Sequence, residues 1–222
     1  MHFSIIIPVY NEENSIHELL RQLEPFSQNH EIIFINDGST DHTLEYLSQS
    51  SFIQIYSNLS QEGKGASIRL GLEKAQNDYI ILMDGDLEVS PQNIHALMAP
   101  IIQSKAQAVF GSRWLGINRG IGLFDIGNWF LNSLFNLLNS VSYLDVLCCF
   151  KVFNRTHLPI HQLKSKTFDI EVEISAMMIQ SIESIAEIPI TYERRNINEG
   201  KKLRFRDGFT ILKRIFSSKF RQ

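Results

Sequence analysis

The stretch that decides the fold covers residues 79–88 and reads YIILMDGDLE. Its first five residues form a short, almost continuously apolar run, which is typical of a parallel strand covered on both faces. Asp84, Asp86 and Glu88 follow at once, and Gly85 lets the backbone approach a ligand closely. The stretch therefore predicts a buried strand whose open end carries two carboxylates that can share one site. The alternative is a turn in which the aspartates only cap the next helix.

The same alternation of an apolar run and a helical pattern repeats over the first 111 residues. Strands are predicted at Phe3–Val9, Glu31–Asn36, Phe52–Tyr56, Tyr79–Met83 and Ala108–Phe110. Helices are predicted near Glu13–Leu23, Thr40–Gln49, Gly65–Ala75 and Pro91–Ile101, the last after a Ser90 cap. Repeated βα units predict an α/β fold with a doubly wound, mainly parallel, Rossmann-like sheet that has helices on both faces.

An apolar segment at residues 121–141 is about as long as a membrane span. Polar residues recur in it at steps of 3, 4, 4 and 3, as Asp125, Asn128, Asn132, Asn136 and Asn139. They form one stripe along a helix that is otherwise covered by Phe, Leu and Trp. We therefore predict an amphipathic helix, not a transmembrane one, which either packs on the domain or lies at a membrane interface.

The rest of the chain returns to short elements. Strands are predicted around Phe150–Phe153 and Ile185–Ile190, and a helix at Thr167–Gln180. The segment Phe205–Phe220 predicts a basic amphipathic helix at the C-terminal end. The chain of 222 residues is long enough for one large domain with its own core.

Charge is distributed unevenly around a net value of −3. Residues 1–110 carry 5 Lys and Arg against 14 Asp and Glu, whereas residues 111–222 carry 16 against 10. The acidic first half suits a cation and the basic second half suits an anion, although solvated surface charge explains the same asymmetry.

Cys148 and Cys149 are neighbours, so no disulfide framework is predicted and a reducing compartment is expected. The N-terminal residues do not read as a signal peptide.

Polar turns follow three of the predicted strands, at residues 10–13, 36–41 and 84–88. Open α/β sheets bind ligands at the carboxyl ends of their strands, so these turns are expected to meet. The first turn lacks the glycine pattern of a dinucleotide site, and residues 63–65 do not form a phosphate-binding P-loop. Asp37 could accept a hydrogen bond from a uracil or guanine N–H, or the turn around it could simply cap the next helix.

The motifs together resemble family 2 glycosyltransferases, and within them the dolichyl-phosphate mannose synthase and polyprenyl-phosphate glycosyltransferase branch. In the first half they are IIIPVYNEE at 5–13, NDGSTD at 36–41, GKGA at 63–66, DGDLEVSP at 84–91 and GSR at 111–113. In the second half they are DVLCCFKVF at 145–153, FDIEVEI at 168–174, EIPITY at 187–192 and GKKL at 200–203. The resemblance covers about residues 3–212.

The resemblance implies a glycosyltransferase A-type fold and an inverting transfer from a UDP- or GDP-sugar that needs Mg²⁺ or Mn²⁺. It implies one glycosyltransferase domain over residues 1–222, with a donor half at 1–111, an acceptor half at 112–203 and a basic amphipathic tail at 204–222. The implied donor-binding residues are Pro8, Tyr10, Glu12, Asp37, Lys64 and Asp84. The implied metal ligands are Asp84, Asp86 and Glu88, although the branch usually has Gln at the last position.

The implied acceptor is a polyprenyl phosphate, which is already a nucleophile at neutral pH and needs no strong base. Asp86 and Arg113 would then be catalytic, with Arg113, Arg119, Lys201 and Lys202 as the residues that face the acceptor phosphate. If the acceptor is instead a hydroxyl of a sugar or peptide, a base is needed, and the candidates are Asp145 and Glu173. Asp145 equally suits a structural role.

An alternative enzyme class and the expected location remain to be considered. A nucleotidyltransferase would use a similar sheet, but it would need a phosphate-gripping loop after the first strand, where Tyr10-Asn11-Glu12-Glu13 stands. No nucleic-acid partner is expected. The helix at 121–141 and the basic tail suit an anionic lipid surface, so we expect a cytoplasmic protein held peripherally at the membrane. Since no transmembrane segment follows the domain up to Gln222, a membrane-anchored protein partner is the other route to the membrane.

Overall fold

The computed structural model describes residues 1–115, 122–195 and 205–219. Within them, seven strands form one sheet in the order β3-β2-β1-β4-β6-β5-β7. The strands are β1 Phe3–Val9, β2 Glu31–Asn36, β3 Gln54–Ser57, β4 Tyr79–Leu82, β5 Ala108–Ser112, β6 Lys151–Asn154 and β7 Ile185–Pro189. The helices are α1 Glu13–Leu23, α2 Thr43–Ser48, α3 Lys64–Lys74, α4 Ile94–Ile102, α5 Leu123–Asn139, α6 Ile170–Ser181 and α7 Phe205–Lys219.

The central strands are buried on both faces, as their continuous apolar runs predicted. Along β1, Ile5 and Ile7 pack into one core with α1 and α4, whereas Ile6 points to a second core with α3 and α6. Because β2, β1 and β4 run parallel, their carboxyl ends meet at one edge of the sheet. The predicted α/β fold with helices on both faces is therefore confirmed, and its sheet is mostly parallel.

The reversed strand β6 lies antiparallel between β4 and β5. Simple repetition of βα units did not predict this reversal, because it arises in the long connection that contains α5. Smaller differences lie at element ends. The strand β3 starts two residues later than predicted, since Phe52 and Ile53 pack against the core from a bend before it. Ser90 caps a short 3-10 turn at residues 91–93 through the backbone N–H of Gln92, as predicted, and α4 follows it.

The helices α5, α6 and α7 build a third apolar cluster beside the sheet. It contains Leu131 and Phe135 of α5, residues of α6, and Ile211 and Ile215 of α7. The predicted helices at 121–141 and 205–220 are thus both present, and the first stops at Ser140, whose left-handed φ of 55° ends the helix. Among the described residues, no helix combines the length and the apolar character needed to cross a membrane.

Candidate active site

The carboxyl ends of β1, β2 and β4 open into a cavity of about 640 Å³, which is within the usual range for small-molecule sites. The predicted donor and metal residues meet in its wall, where the structure places Pro8, Tyr10, Glu12, Asp37, Lys64, Asp84, Asp86, Glu88 and Arg113. The predicted acceptor residues Arg119, Lys201 and Lys202 lie outside the described residues. The helices α5 and α7 also line the cavity, through Asn128, Arg206, Asp207 and Ile211.

Asp37 organises the loop that closes one side of this cavity. Its carboxylate accepts hydrogen bonds from Asn58 Nδ2 (2.7 Å) and from the backbone N–H groups of Glu62 (3.0 Å) and Gly63 (2.8 Å). Gly63 has a φ of +97°, a conformation that favours glycine, and it precedes the first turn of α3. Asp37 therefore fixes the start of α3, and three of its hydrogen-bonding positions are already used.

The acidic cluster consists of Glu12, Asp84, Asp86 and Glu88. The carboxylate of Asp86 accepts the Glu88 backbone N–H (3.0 Å), and between them Leu87 has a left-handed φ of 58°, which folds the segment into a tight turn. Burial and the negative charges of Asp84, Glu88 and Glu12 raise the pKa of Asp86 to about 7. The cluster therefore carries more negative charge than its surroundings balance, which favours a bound cation.

Glu88 uses both carboxylate oxygens to hold the segment at residues 192–195. Oε2 accepts from the Tyr192 hydroxyl (2.9 Å) and Oε1 from the Arg195 backbone N–H (2.9 Å). The Arg195 guanidinium in turn pairs with Glu12 (2.7 Å). Each Glu88 oxygen accepts one hydrogen bond and keeps a second lone pair that a cation could use. Among the described residues, no three Asp, Glu, His or Cys side chains are arranged as a metal-binding group.

A buried charge chain runs from the cavity into the core through Asp84, Lys64, Glu171 and Lys151. Lys64 Nζ lies 2.6 Å from Asp84 Oδ1 and 2.9 Å from Glu171 Oε1, and Glu171 Oε2 lies 2.9 Å from Lys151 Nζ. Burial lowers the pKa of Lys64, but the two carboxylates outweigh it and hold that pKa well above its usual value. Sequence reasoning assigned no role to Glu171 or Lys151. The sequence feature that could have indicated this pair is Lys151 itself, a lysine inside the apolar run that forms β6.

Arg113 is held in place by Asp145. Its Nε and Nη2 donate to the two carboxylate oxygens (2.8 Å each), and its backbone N–H donates to Oδ2 (2.9 Å). Its guanidinium also lies over the ring of Tyr192, 5.5 Å from the centroid. Asp145 is 1% exposed, and both of its carboxylate oxygens are hydrogen-bonded to Arg113. Its role as a general base stays a prediction.

Glu173, the other candidate base, is also committed to structure. Its carboxylate accepts the backbone N–H groups of Lys164 (2.9 Å) and Ser165 (2.7 Å) and pairs with Arg214 of α7 (3.1 Å). The side chain is buried, so it joins α6 to α7 and does not face an acceptor. Both carboxylates that were considered as bases for a hydroxyl acceptor are thus bound to an arginine and to backbone N–H groups.

The fold is similar to that of several solved glycosyltransferases. Glucosyl-3-phosphoglycerate synthase from Mycobacterium tuberculosis, in complex with Mn²⁺, uridine diphosphate and phosphoglyceric acid, matches with a TM-score of 0.76 and 18% identity, over 98% of this chain and 78% of that one. Mannosyl-3-phosphoglycerate synthase from Rubrobacter xylanophilus matches with a TM-score of 0.73 and 15% identity, over 100% and 73%. The class of fold is therefore that of the glycosyltransferase A type.

The sequence comparisons identify the family. A family model described as glycosyl transferase family 2 matches residues 4–155, which is more than half of the chain, and the chain belongs to this family of glycosyltransferases. Dodecaprenyl-phosphate galacturonate synthase of Rhizobium johnstonii is 27% identical over 69% of this chain. Undecaprenyl-phosphate 4-deoxy-4-formamido-L-arabinose transferase of Pseudomonas savastanoi is 40% identical over 43% of it. The matches span 48% and 31% of the lengths of these two relatives.

Proposed function

We propose that the chain transfers a sugar, with inversion, from a UDP- or GDP-sugar to a polyprenyl phosphate, with Mg²⁺ or Mn²⁺ at the donor's diphosphate. The observation that carries this proposal is the meeting, in one cavity, of the acidic cluster with the fixed guanidinium of Arg113. The first is suited to a cation and the second to an anion, which is what a diphosphate donor and a phosphate acceptor require. The names of the relatives support the same pair of substrates.

The donor end of the cavity fits a hard divalent cation. Mg²⁺ in such sites is usually bound by one or two carboxylates together with substrate phosphates, so Asp84 and Asp86 are sufficient without Glu88. A cation held there would neutralise the charge that develops on the leaving diphosphate. Lys64 stands beside Asp84 at the first turn of α3 and would contribute a second positive charge to the phosphates.

The acceptor end supports a phosphate nucleophile over a hydroxyl. A phosphate oxygen is ionised at neutral pH and attacks the sugar without losing a proton, so this reaction requires no general base. Asp145 and Glu173 are both bound to arginines and backbone N–H groups, which agrees with that requirement. Arg113, aligned by Asp145, would hold the acceptor phosphate next to the donor. Arg119, Lys201 and Lys202 remain candidates for the same task.

The acceptor class also bears on location. A polyprenyl phosphate stays in the bilayer, so the cavity must reach the headgroup region for transfer to occur. We therefore propose that the protein works peripherally at the cytoplasmic face of the membrane, by its own surface or through a membrane-anchored partner. The single-domain organisation, with donor residues in 1–111 and acceptor residues in 112–203, stays part of this proposal.

The proposal is tested by incubating the purified protein with UDP-glucose or GDP-mannose, MnCl₂ and a short-chain, water-soluble prenyl phosphate. We expect a glycosyl prenyl phosphate with at least one donor, and no product in excess EDTA. Asp86→Ala should abolish transfer and retain the fold, whereas Glu45→Ala, on the exposed face of α2, should behave as wild type. Transfer to a free sugar but not to the prenyl phosphate would contradict the acceptor assignment. Full activity in EDTA would contradict the metal assignment.

A further inference from the structure

The helix α5 buries its polar stripe together with part of its apolar surface, Leu131 and Phe135. The polar stripe is hydrogen-bonded within the protein. Asn132 bonds the carbonyl of Tyr143 (2.7 Å) and the N–H of Val146 (2.9 Å), and Asn136 bonds both backbone groups of Tyr143 (2.7 and 3.1 Å). Asp125 is 2% exposed and pairs with Arg194. A water-facing helix shows the opposite arrangement.

The outward face of α5 is apolar and carries no charged side chain. Its exposed large residues are Ile126 (56%), Trp129 (67%), Phe130 (55%) and Leu137 (76%). Their spacing of 3, 1 and 7 residues puts them within one arc of the helix, beside the stripe of inward asparagines and away from the buried Phe135. Contiguous exposed aromatic and aliphatic side chains of this kind mark a surface that is covered in the working protein.

The helix α7 packs against α5 and also exposes large apolar residues, together with positive charge. Phe209 (76% exposed) and Phe216 (44% exposed) alternate with the exposed Arg206 and Lys213 at steps of 3, 4 and 3, so all four lie on one face. Lysine and arginine among aromatic residues are typical of helices that lie in a lipid interface, where the stems stay in the apolar zone and the charges reach the headgroups. We call the exposed faces of α5 and α7 together the α5–α7 face.

We propose that the α5–α7 face docks on an anionic lipid bilayer and that the acceptor lipid enters the cavity directly from it. Charge favours lipid as the occupant, because the face combines Arg206 and Lys213 with aromatic and aliphatic side chains, while the acidic residues of the two helices are buried (Asp125) or half-buried (Asp207). Continuity with the cavity favours it as well. Asn128 of α5 and Arg206 and Ile211 of α7 line the cavity wall, so the same two helices separate the bilayer side from the donor site.

The second part of this inference rests on the proposed function, since it supplies a route for a membrane-bound acceptor. Its phosphate would enter the cavity past Asn128 of α5 and Arg206 of α7 and reach Arg113, while its hydrocarbon tail stays in the bilayer. The inward asparagines are then explained: they tie α5 to residues 143–146, the segment that contains Asp145, which aligns Arg113. These hydrogen bonds thereby connect the docked helix α5, through residues 143–146, to Arg113.

Sedimentation with vesicles tests the docking. Wild type should sediment with phosphatidylcholine–phosphatidylglycerol vesicles, more weakly with phosphatidylcholine alone. The double variant Trp129→Ser/Phe130→Ser should partition about tenfold less or worse, because each buried aromatic contributes strongly to interfacial binding. Ile102→Ser is the matched control: Ile102 is 53% exposed, close to the 55% of Phe130, but lies at the end of α4. It should sediment as wild type does.

Equal sedimentation of wild type and the double variant would overturn the docking. The docking would also be overturned if wild type bound no vesicles and formed a dimer, and if the double variant were a monomer, because a second copy would then cover the face.

A transfer assay separates docking from the proposed function. With a water-soluble prenyl phosphate the double variant should retain wild-type activity, and with a long-chain acceptor in vesicles it should lose at least about tenfold. No transfer by wild type to either acceptor would contradict the proposed function, while the sedimentation result would still decide the docking.

Discussion

Glu171 stands between two buried ammonium groups, and its replacement by glutamine leaves both of them without their shared counter-ion. Lys151 is fully buried and Glu171 is 4% exposed. Lys64 keeps Asp84 after the change, but Lys151 keeps only neutral partners, which are the carbonyl groups of Val146 and Cys148 and the ring of Phe110. Breaking one side of a buried ion pair costs about 3–5 kcal/mol. For a protein of this length, each kcal/mol lowers the melting temperature by about 2–4 °C.

We therefore expect Glu171→Gln to lower the melting temperature by roughly 6–20 °C, measured by circular dichroism at pH 7. Glu45→Gln, at an exposed position of α2, should change it by less than about 2 °C. The double variant Glu171→Leu/Lys151→Met removes both charges and should be more stable than the single variant. A Glu171→Gln protein within about 1 kcal/mol of wild type would refute the reasoning.

The pH dependence of the same variant supplies an independent check. Burial raises the pKa of Glu171, but Lys151 and Lys64 outweigh it and leave that pKa below its usual 4.5. The stabilising charge is thus fully present above pH 4.5 and is lost as the pH falls through the folded-state pKa. The difference in free energy of unfolding between wild type and Glu171→Gln should be constant near neutrality and should shrink in acid. A difference that grows in acid would contradict this assignment.

Two further predictions concern the cavity. Asp145→Asn should free the Arg113 side chain and lower kcat/KM for a prenyl phosphate acceptor by about 100-fold, while slow hydrolysis of the donor by water stays near wild type; an equal loss of both would argue against a positioning role. Asp86→Asn should abolish transfer yet stabilise the metal-free protein at pH 8 by about 1–3 kcal/mol. The sign follows because an acid whose folded pKa is raised to about 7 destabilises the fold as the pH rises from its unfolded pKa to that value. Urea unfolding at pH 5 and pH 8 measures it, and a destabilised variant at pH 8 would contradict it.

Much of the donor site could be predicted because it depends on local order along the chain. A strand buried on both faces needs a continuous apolar run, and the turn after it must be polar because it meets solvent at the open edge. Runs of this kind located β1, β2 and β4, and parallel pairing then brought Asp37, Asp84 and Asp86 to the same edge. For these residues, the sequence by itself determined the place in the fold.

The acceptor half depended on pairings that no local pattern records. The reversal of β6 brings Lys151 under the cavity, where Glu171, twenty residues away, joins it to Lys64. Asp145 is hydrogen-bonded to Arg113, which lies 32 residues away in the sequence. The carboxylate that the sequence offered as a candidate base is thus a hydrogen-bond partner of Arg113 in the structure.

The orientation of α5 was likewise open in the sequence. Its periodicity predicted one polar and one apolar face, but periodicity alone does not predict which face turns inward. Only tertiary structure decided it. The unpaired backbone groups of residues 143–146 need buried hydrogen-bond partners, and the inward asparagines supply them. Sequence alone therefore determined the parallel strands β1, β2 and β4 and their acidic edge, because both follow from burial along single strands. The tertiary structure decided the charge pairs and the exposed apolar face, because these follow from which distant polar groups must satisfy one another.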